Sequence, residues 1–291
     1  MTQIKVRQMS GWLAVFSSAF FLYLSSAVIR WSESEVMIHP SFFLFSRYLV
    51  GFLVIAAVLM VKRERPVAHK PHLLAGRTVF NLLALLFFYK AVSVSTVAKA
   101  NILNMTYPIF TVVFTWIFTR ERFNPISLVL VLAAFTGIWL ILSPGDLDLA
   151  VKNLWGLASG ICATLALFFL SFCRKDHDTE TILYYMFGMG ALLVFILFPQ
   201  EISLPDATRF YYLALFTFFS VLGTYLITLG YRYVTAVEGS IISSTRILLA
   251  ALLGPFIVAG PRLTRADWIG ALLIFVVNVF LAVRKASDAD L

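Results

Sequence analysis

The chain has 291 residues, of which 60% are hydrophobic and only 13% charged, and its net charge is +8. A soluble globular chain carries roughly 25% charged residues, so a soluble domain is excluded as the main architecture, and a β-barrel would need short alternating segments, which are absent. Apolar runs of about 20 residues recur instead, each able to cross about 30 Å of hydrocarbon as a helix.

Taken in chain order, the runs predict ten spans near residues 11–30, 40–61, 74–91, 96–118, 126–142, 154–173, 181–198, 209–229, 236–258 and 267–283. The first follows Lys5 and Arg7. Ser25-Ser26-Ala27 would suit a leader cleavage site, but this run echoes one in the second half and is read as a span. A tight hairpin at Val92–Ser95 joins the third and fourth spans, and another at Tyr231–Thr235 joins the eighth and ninth.

Tyr89–Leu142 reads apolar span, polar break, apolar span, and the pattern returns from Tyr231. Aligning Arg122-Phe123-Asn124 with Arg262-Leu263-Thr264 sets a shift of about 140 residues, the mark of a duplicated unit. The halves are residues 1–145 and 146–291.

Lys and Arg in the loops set orientation. With both termini in the cytoplasm, the inner segments hold Lys5, Arg7, Lys62, Arg63, Arg65, Lys70, Arg120, Arg122, Arg174, Lys175, Arg232, Arg284 and Lys285, with Arg77 beside them at the start of the third span. The outer segments hold Arg30, Lys152, Arg209, Arg262 and Arg265. The basic balance is therefore topology and calls for no nucleic acid. Five spans is an odd number, so the second half enters the membrane upside down. Inverted repeats of this kind place their site at the interface near the midplane.

Several stretches carry a family resemblance. They are Ile38–Val54 with Pro40 and Arg47; Tyr89–Ala91, Tyr107-Pro108 and Arg120-Glu121-Arg122 before a Gly137-bearing span; Gly156–Lys175; Val221–Val234; and Trp268–Val279. Together they resemble the EamA-type transporters of the drug/metabolite transporter superfamily. The resemblance implies an all-α polytopic membrane protein with ten transmembrane helices in two inverted five-helix repeats, a central cavity, and transport of small organic metabolites. One departure is Pro261, which stands where the family often has an acidic residue after the ninth span.

Ionisable groups inside spans are costly and face protein or a cavity. Arg246 lies about ten residues into the ninth span, hence near the midplane. It is a candidate to bind a substrate carboxylate or phosphate through its planar fork; the alternative is a tether on helix carbonyls. Ser243 lies one turn earlier on its face. Arg47 and Lys99 are further candidate contacts. Arg47 is at a depth from which a long side chain reaches the interface as a tether, and Lys99, shallower still, is placed to snorkel. Asn101, Asn104, Pro108 and Thr111 form one stripe of the fourth helix, either helix glue or cavity lining. Pro108 and Pro255 are expected to kink their helices. Glu238, the one carboxylate near a span interior, is either a helix N-terminal charge or a coupling site for protons. Phe16, Tyr23 and Trp116 are candidate lining aromatics.

The expected function is a secondary transporter, an exporter or exchanger, of small organic metabolites such as amino acids, in the cell's inner membrane. The alternative is an anionic cargo of the dicarboxylate, nucleotide or nucleotide-sugar type, for which Arg47 and Lys99 would add cations. A membrane-embedded enzyme would need carboxylate pairs, metal ligands or a nucleophile–base pair in the membrane. The acids lie nearly all in loops, as do His39, His69, His72 and His177. No catalytic residue, cofactor or metal site is expected. The expected partners are the substrate and the lipid bilayer, with room for a homodimer.

Overall fold

The computed structural model of the chain describes residues 2–119, 125–142, 147–230, 232–233, 236–257 and 263–289. It is all helical among these residues: α1 (Thr2–Ser32), α2 (Pro40–Lys62), α3 (Pro71–Val94), α4 (Val97–Asn104), α5 (Tyr107–Thr119), α6 (Pro125–Leu142), α7 (Leu147–Cys173), α8 (Thr179–Leu197), α9 (Ala207–Gly230), α10 (Ala236–Ile257) and α11 (Arg265–Ala289). Six of these contain stretches long and apolar enough by themselves to cross a bilayer: α1, α2, α3, α7, α8 and α9. The chain is an integral membrane protein of the all-α class.

Helix starts follow local chemistry. Pro40 and Pro71 open α2 and α3 at the position where no amide hydrogen is needed. Thr96 caps α4 by accepting the Lys99 N–H at 3.1 Å, and Asp178 caps α8 by accepting the Thr181 N–H at 2.9 Å.

The fourth span departs from the sequence expectation. It is not one kinked helix but two, α4 and α5, broken at Met105–Thr106. Pro108 therefore sits in the first turn of α5, where its missing donor is harmless. The polar stripe from Asn101 to Thr111 is divided between the two pieces. In hydrocarbon, a broken helix needs other donors for its freed carbonyls. Asn278 of α11 donates Nδ2–H to the freed Met105 carbonyl at 2.9 Å, and Thr164 of α7 packs beside the break, donating Oγ–H to the Tyr107 carbonyl in the first turn of α5 at 3.0 Å. Gly160 brings α7 against the break: a Cβ there would lie 2.6 Å from Thr106 Oγ1 and 3.0 Å from the Leu103 carbonyl.

Several of the helix pairings survive exchange of residues 1–145 with 146–291. α3 runs along α7 as α1 runs along α9, and α4 lies on α7 as α10 lies on α1. The crossings α2 on α8, α6 on α11 and α4 on α10 map onto themselves. Glycines allow the closest of these approaches. A Cβ at Gly51 would come within 2.8 Å of the Phe187 ring, and one at Gly190 within 2.7 Å of the Tyr48 ring. At the α6–α11 crossing, Gly137 and Gly270 each face the other's carbonyl.

The two ends of the bundle are tied by different loops. Lys62 pairs with Glu180 and Lys70 with Asp176 at one end. At the other, Trp31 donates its indole N–H to the Ile257 carbonyl at 2.7 Å and Lys99 pairs with Asp267. The residues at the first end are those that loop charge assigns to the inner side.

Candidate functional site

Where α1, α3, α4, α7, α9 and α10 converge, they enclose a cavity of about 160 Å³. That is below the roughly 300–1,000 Å³ of drug-sized ligand pockets. Its lining includes Ser18 and Ser25 of α1, Arg77, Asn81 and Phe88 of α3, Asn104 at the end of α4, Thr224 of α9, and Ser243 and Arg246 of α10; Arg47 reaches in from α2.

Arg246 is 7% exposed. Its Nε–H donates to Asn101 Oδ1 at 2.6 Å, and its guanidinium lies over the Phe88 ring, 5.1 Å from the centroid, a cation–π contact. Asn101 is in turn fixed, because its Nδ2 donates to Ser26 Oγ at 3.0 Å and to the Val97 carbonyl at 2.7 Å. Asn101 is fully buried and stands behind the arginine, away from the cavity wall. Ser243 lines the cavity, and its buried hydroxyl has no hydrogen-bond partner among the described residues. Ser18 Oγ is in the same position.

Arg47 does not reach the interface, as its depth suggested. It is 4% exposed and donates from its two terminal nitrogens to Tyr89 Oη at 3.0 Å and Thr224 Oγ1 at 2.7 Å. These bonds join α2 to α3 and α9. Asn104 lines the cavity and donates to Ser159 Oγ at 2.6 Å.

Lys99 departs from both of its expected roles. It neither snorkels nor lines the cavity. It is buried against Asp267 at 3.0 Å, an ion pair that clamps the start of α4 to the start of α11. Asp267 is fully buried and also accepts the Thr264 N–H and Oγ–H at 2.8 and 2.9 Å. The sequence put this residue at the start of the tenth span; it belongs to a helix-start cap turned inward.

Of the aromatics, Phe16 is exposed on the bundle surface and Tyr23 is fully buried in the core. The side chains of Glu238, Pro255 and Trp116, and the loop residues Glu121 and Pro261, lie outside the described residues.

Sequence reasoning missed Arg77 and Asn278. Arg77, Asn81, Leu85 and Phe88 recur every three or four positions along α3 and all face the cavity. A polar pair at i, i+4 inside an apolar run is the signal that would have found Arg77. No described residue forms an ion pair with Arg47, Arg77 or Arg246.

A helical membrane protein with a mainly apolar cavity between its helices, into whose wall three arginines are set, has the build of a small-solute transporter. The chain belongs to the EamA-like transporter family, whose model matches residues 9–143 and again residues 151–283.

It is 29% identical over 194 residues to an uncharacterized transporter of Helicobacter pylori, covering 63% of this chain and 64% of that protein, somewhat less than two thirds of its length. It is 25% identical over 243 residues to an uncharacterized transporter of Archaeoglobus fulgidus, covering 83% of this chain and 86% of that one. It is also 25% identical to the pseudopaline exporter CntI of Pseudomonas aeruginosa, covering 81% of this chain and 82% of that one. A solved crystal structure superposes with a TM-score of 0.65 over 96% of this chain and 99% of the other, at 17% identity, a likeness of fold.

Proposed function

We propose that this protein is a secondary transporter of small anionic organic metabolites, an exporter or exchanger, and acts in transport rather than catalysis. Two inverted five-helix repeats, residues 1–145 and 146–291, rock around the central cavity. It sits in the inner membrane with both termini in the cytoplasm, the orientation that the loop Lys/Arg bias favours.

The observation that carries this reading is the state of Arg246. It is buried midway along α10, lines the cavity, and has a neutral amide and an aromatic ring as partners instead of a carboxylate. An arginine stays charged at that depth, so an anion of the cargo is the counter-charge that the site lacks. Asn101 positions the guanidinium, and Ser243 offers the same anion a hydroxyl.

An amino acid is the second reading, since one carboxylate would suit Arg246. Its ammonium group would then lie among Arg47, Arg77 and Arg246 with no carboxylate in the described lining to receive it. That arrangement favours an anion over a zwitterion, and the small cavity favours a compact anion over a nucleotide. Lys99, committed to Asp267, drops out as a cargo contact.

Uptake of a labelled metabolite panel into proteoliposomes tests the proposal. At least one small organic anion is expected to accumulate with the wild type and not with Arg246→Ala. No movement of any organic solute, or equal movement by both proteins, would contradict it.

A further inference from the structure

Sequence position alone files Arg77 with the basic residues of the inner loops. The structure puts it in the wall of the cavity, one turn before Asn81 on the α3 stripe that ends at Phe88. Its Nε is buried without a hydrogen-bond partner among the described residues. The ionisable groups that bear on it are Tyr48, Cys173, Arg47 and Arg174, none of them a carboxylate. Those that bear on Arg246 are Tyr89, Tyr107 and Arg47. Arg47 lines the same cavity as both.

We infer that Arg77 is a second anion-binding residue, and that the cavity selects a compact solute with two negative charges, held between Arg246 and Arg77. The inference rests on the transport reading above. Arg47 already spends both terminal nitrogens on Tyr89 and Thr224. Its role is to hold α2, α3 and α9 around the site and to supply background charge. Arg246 spends its Nε–H on Asn101. Arg77, like Arg47, has no acceptor for its buried Nε–H among the described residues, but it lacks the bonds from terminal nitrogens that tie Arg47 to Tyr89 and Thr224. A single carboxylate would leave two of the three guanidiniums without counter-charge in a low-dielectric site, where an uncompensated charge is costly. Two negative charges, on a dicarboxylate or on a phosphate ester, leave one at most. In a cavity of about 160 Å³ the two charges must sit only a few bonds apart.

The test uses four-carbon probes that differ at one end, namely succinate, butyrate and 4-aminobutyrate, with inorganic phosphate as the non-carboxylate arm. Binding to purified full-length protein is measured for the wild type, Arg77→Gln, Arg77→Lys and Arg77→Glu, with thermal unfolding of each. The wild type should bind succinate or phosphate at least about tenfold more tightly than butyrate or 4-aminobutyrate. Arg77→Gln should lose roughly ten- to hundredfold in affinity for the dianion while butyrate binding stays within about twofold. Arg77→Lys should fall between.

Arg77→Glu should reverse the ranking, so that 4-aminobutyrate binds better than succinate, a gain that misfolding cannot produce. Equal binding of 4-aminobutyrate and succinate by the wild type overturns the inference, as does an equal loss for succinate and butyrate in Arg77→Gln or a failure of both dianions to bind. A protein that transports zwitterions but binds no dianion sinks this inference and spares the transport reading. One that binds dianions but moves no solute does the reverse.

Discussion

Tyr48 and Phe187 stand 139 positions apart, and each lies over a glycine of the other's helix: Tyr48 over Gly190, Phe187 over Gly51. Each glycine follows its own helix's aromatic by three residues, so the motif aromatic-x-x-Gly occurs in both halves and locks onto itself at the α2–α8 crossing. The two rings meet edge to face, 6.2 Å between centroids. A Cβ at Gly190 would meet the Tyr48 ring at 2.7 Å. Gly190→Val should therefore lower stability by about 1–3 kcal/mol, the usual cost of overpacking, and Tyr48→Leu in the same chain should restore part of it. Thermal unfolding in detergent checks this; a Gly190→Val protein as stable as the wild type would mean the helices are not in this contact.

Lys99 and Asp267 should behave as a buried pair and not as cargo contacts. Removing one partner of a buried ion pair costs about 3–5 kcal/mol, while removing both is far milder. Lys99→Met and Asp267→Asn should each destabilise strongly, and the double variant should be more stable than either. Substrate affinity of the folded fraction should stay within about twofold. A Lys99→Met protein that keeps its stability but loses binding would return Lys99 to the cavity.

The helical spans were legible in the sequence because lipid forces long apolar runs, and all ten predicted runs fall on helices. The break at Met105–Thr106 was not. Pro108 signals a disturbed helix, but whether it kinks or breaks depends on a donor for the freed carbonyl, here Asn278, 173 positions from Met105.

Depth along the span picked out Arg246 as buried. It misjudged Arg47 and Lys99, because length of side chain and distance to water do not reveal a partner such as Thr224 or Asp267. Arg77 was hidden by its own loop, since topology counting absorbs any basic residue near a span end. A shift of about 140 sets Arg246 against Thr106 in the sequence, so the internal repeat alone could not point to the arginine.

The pH dependence of transport should belong to the cargo. At the inner loops, the hydrogen bond from Lys70 holds Asp176 below the usual carboxylate range. Its contribution is fully present above the unfolded value and is lost only as pH falls through the lower folded one, so this pair stays intact from roughly pH 5 upward. For a phosphate ester, whose second pKa is about 6, the rate should fall below that pH; for a dicarboxylate the midpoint should lie lower. Rate–pH profiles with both cargo types separate the cases. A midpoint common to both would point to a protein group and contradict this expectation.

Exchange should be faster than net flux. An empty carrier that closes must bury Arg47, Arg77 and Arg246 without counter-charge, each unpaired ion costing several kcal/mol, whereas a loaded one does not. Preloading proteoliposomes with substrate should raise the uptake rate at least about tenfold. Glu238→Gln should leave this exchange intact, since its only proposed role is to couple a proton gradient. Equal rates with and without internal substrate would contradict the electrostatic account.

The central claim is that Arg246 binds the cargo anion, and binding and thermal unfolding measured together on purified wild type, Arg246→Lys and Arg246→Ala test it most directly. A lysine keeps the charge but loses the bidentate fork, and loss of a charge-assisted bond of about 1.5–3 kcal/mol weakens affinity by roughly ten- to hundredfold. A folded Arg246→Lys protein with affinity reduced by that factor and a folded Arg246→Ala protein with no measurable binding are expected. Wild-type affinity in Arg246→Ala, or loss of folding in both variants, would make Arg246 a structural tether and contradict the claim.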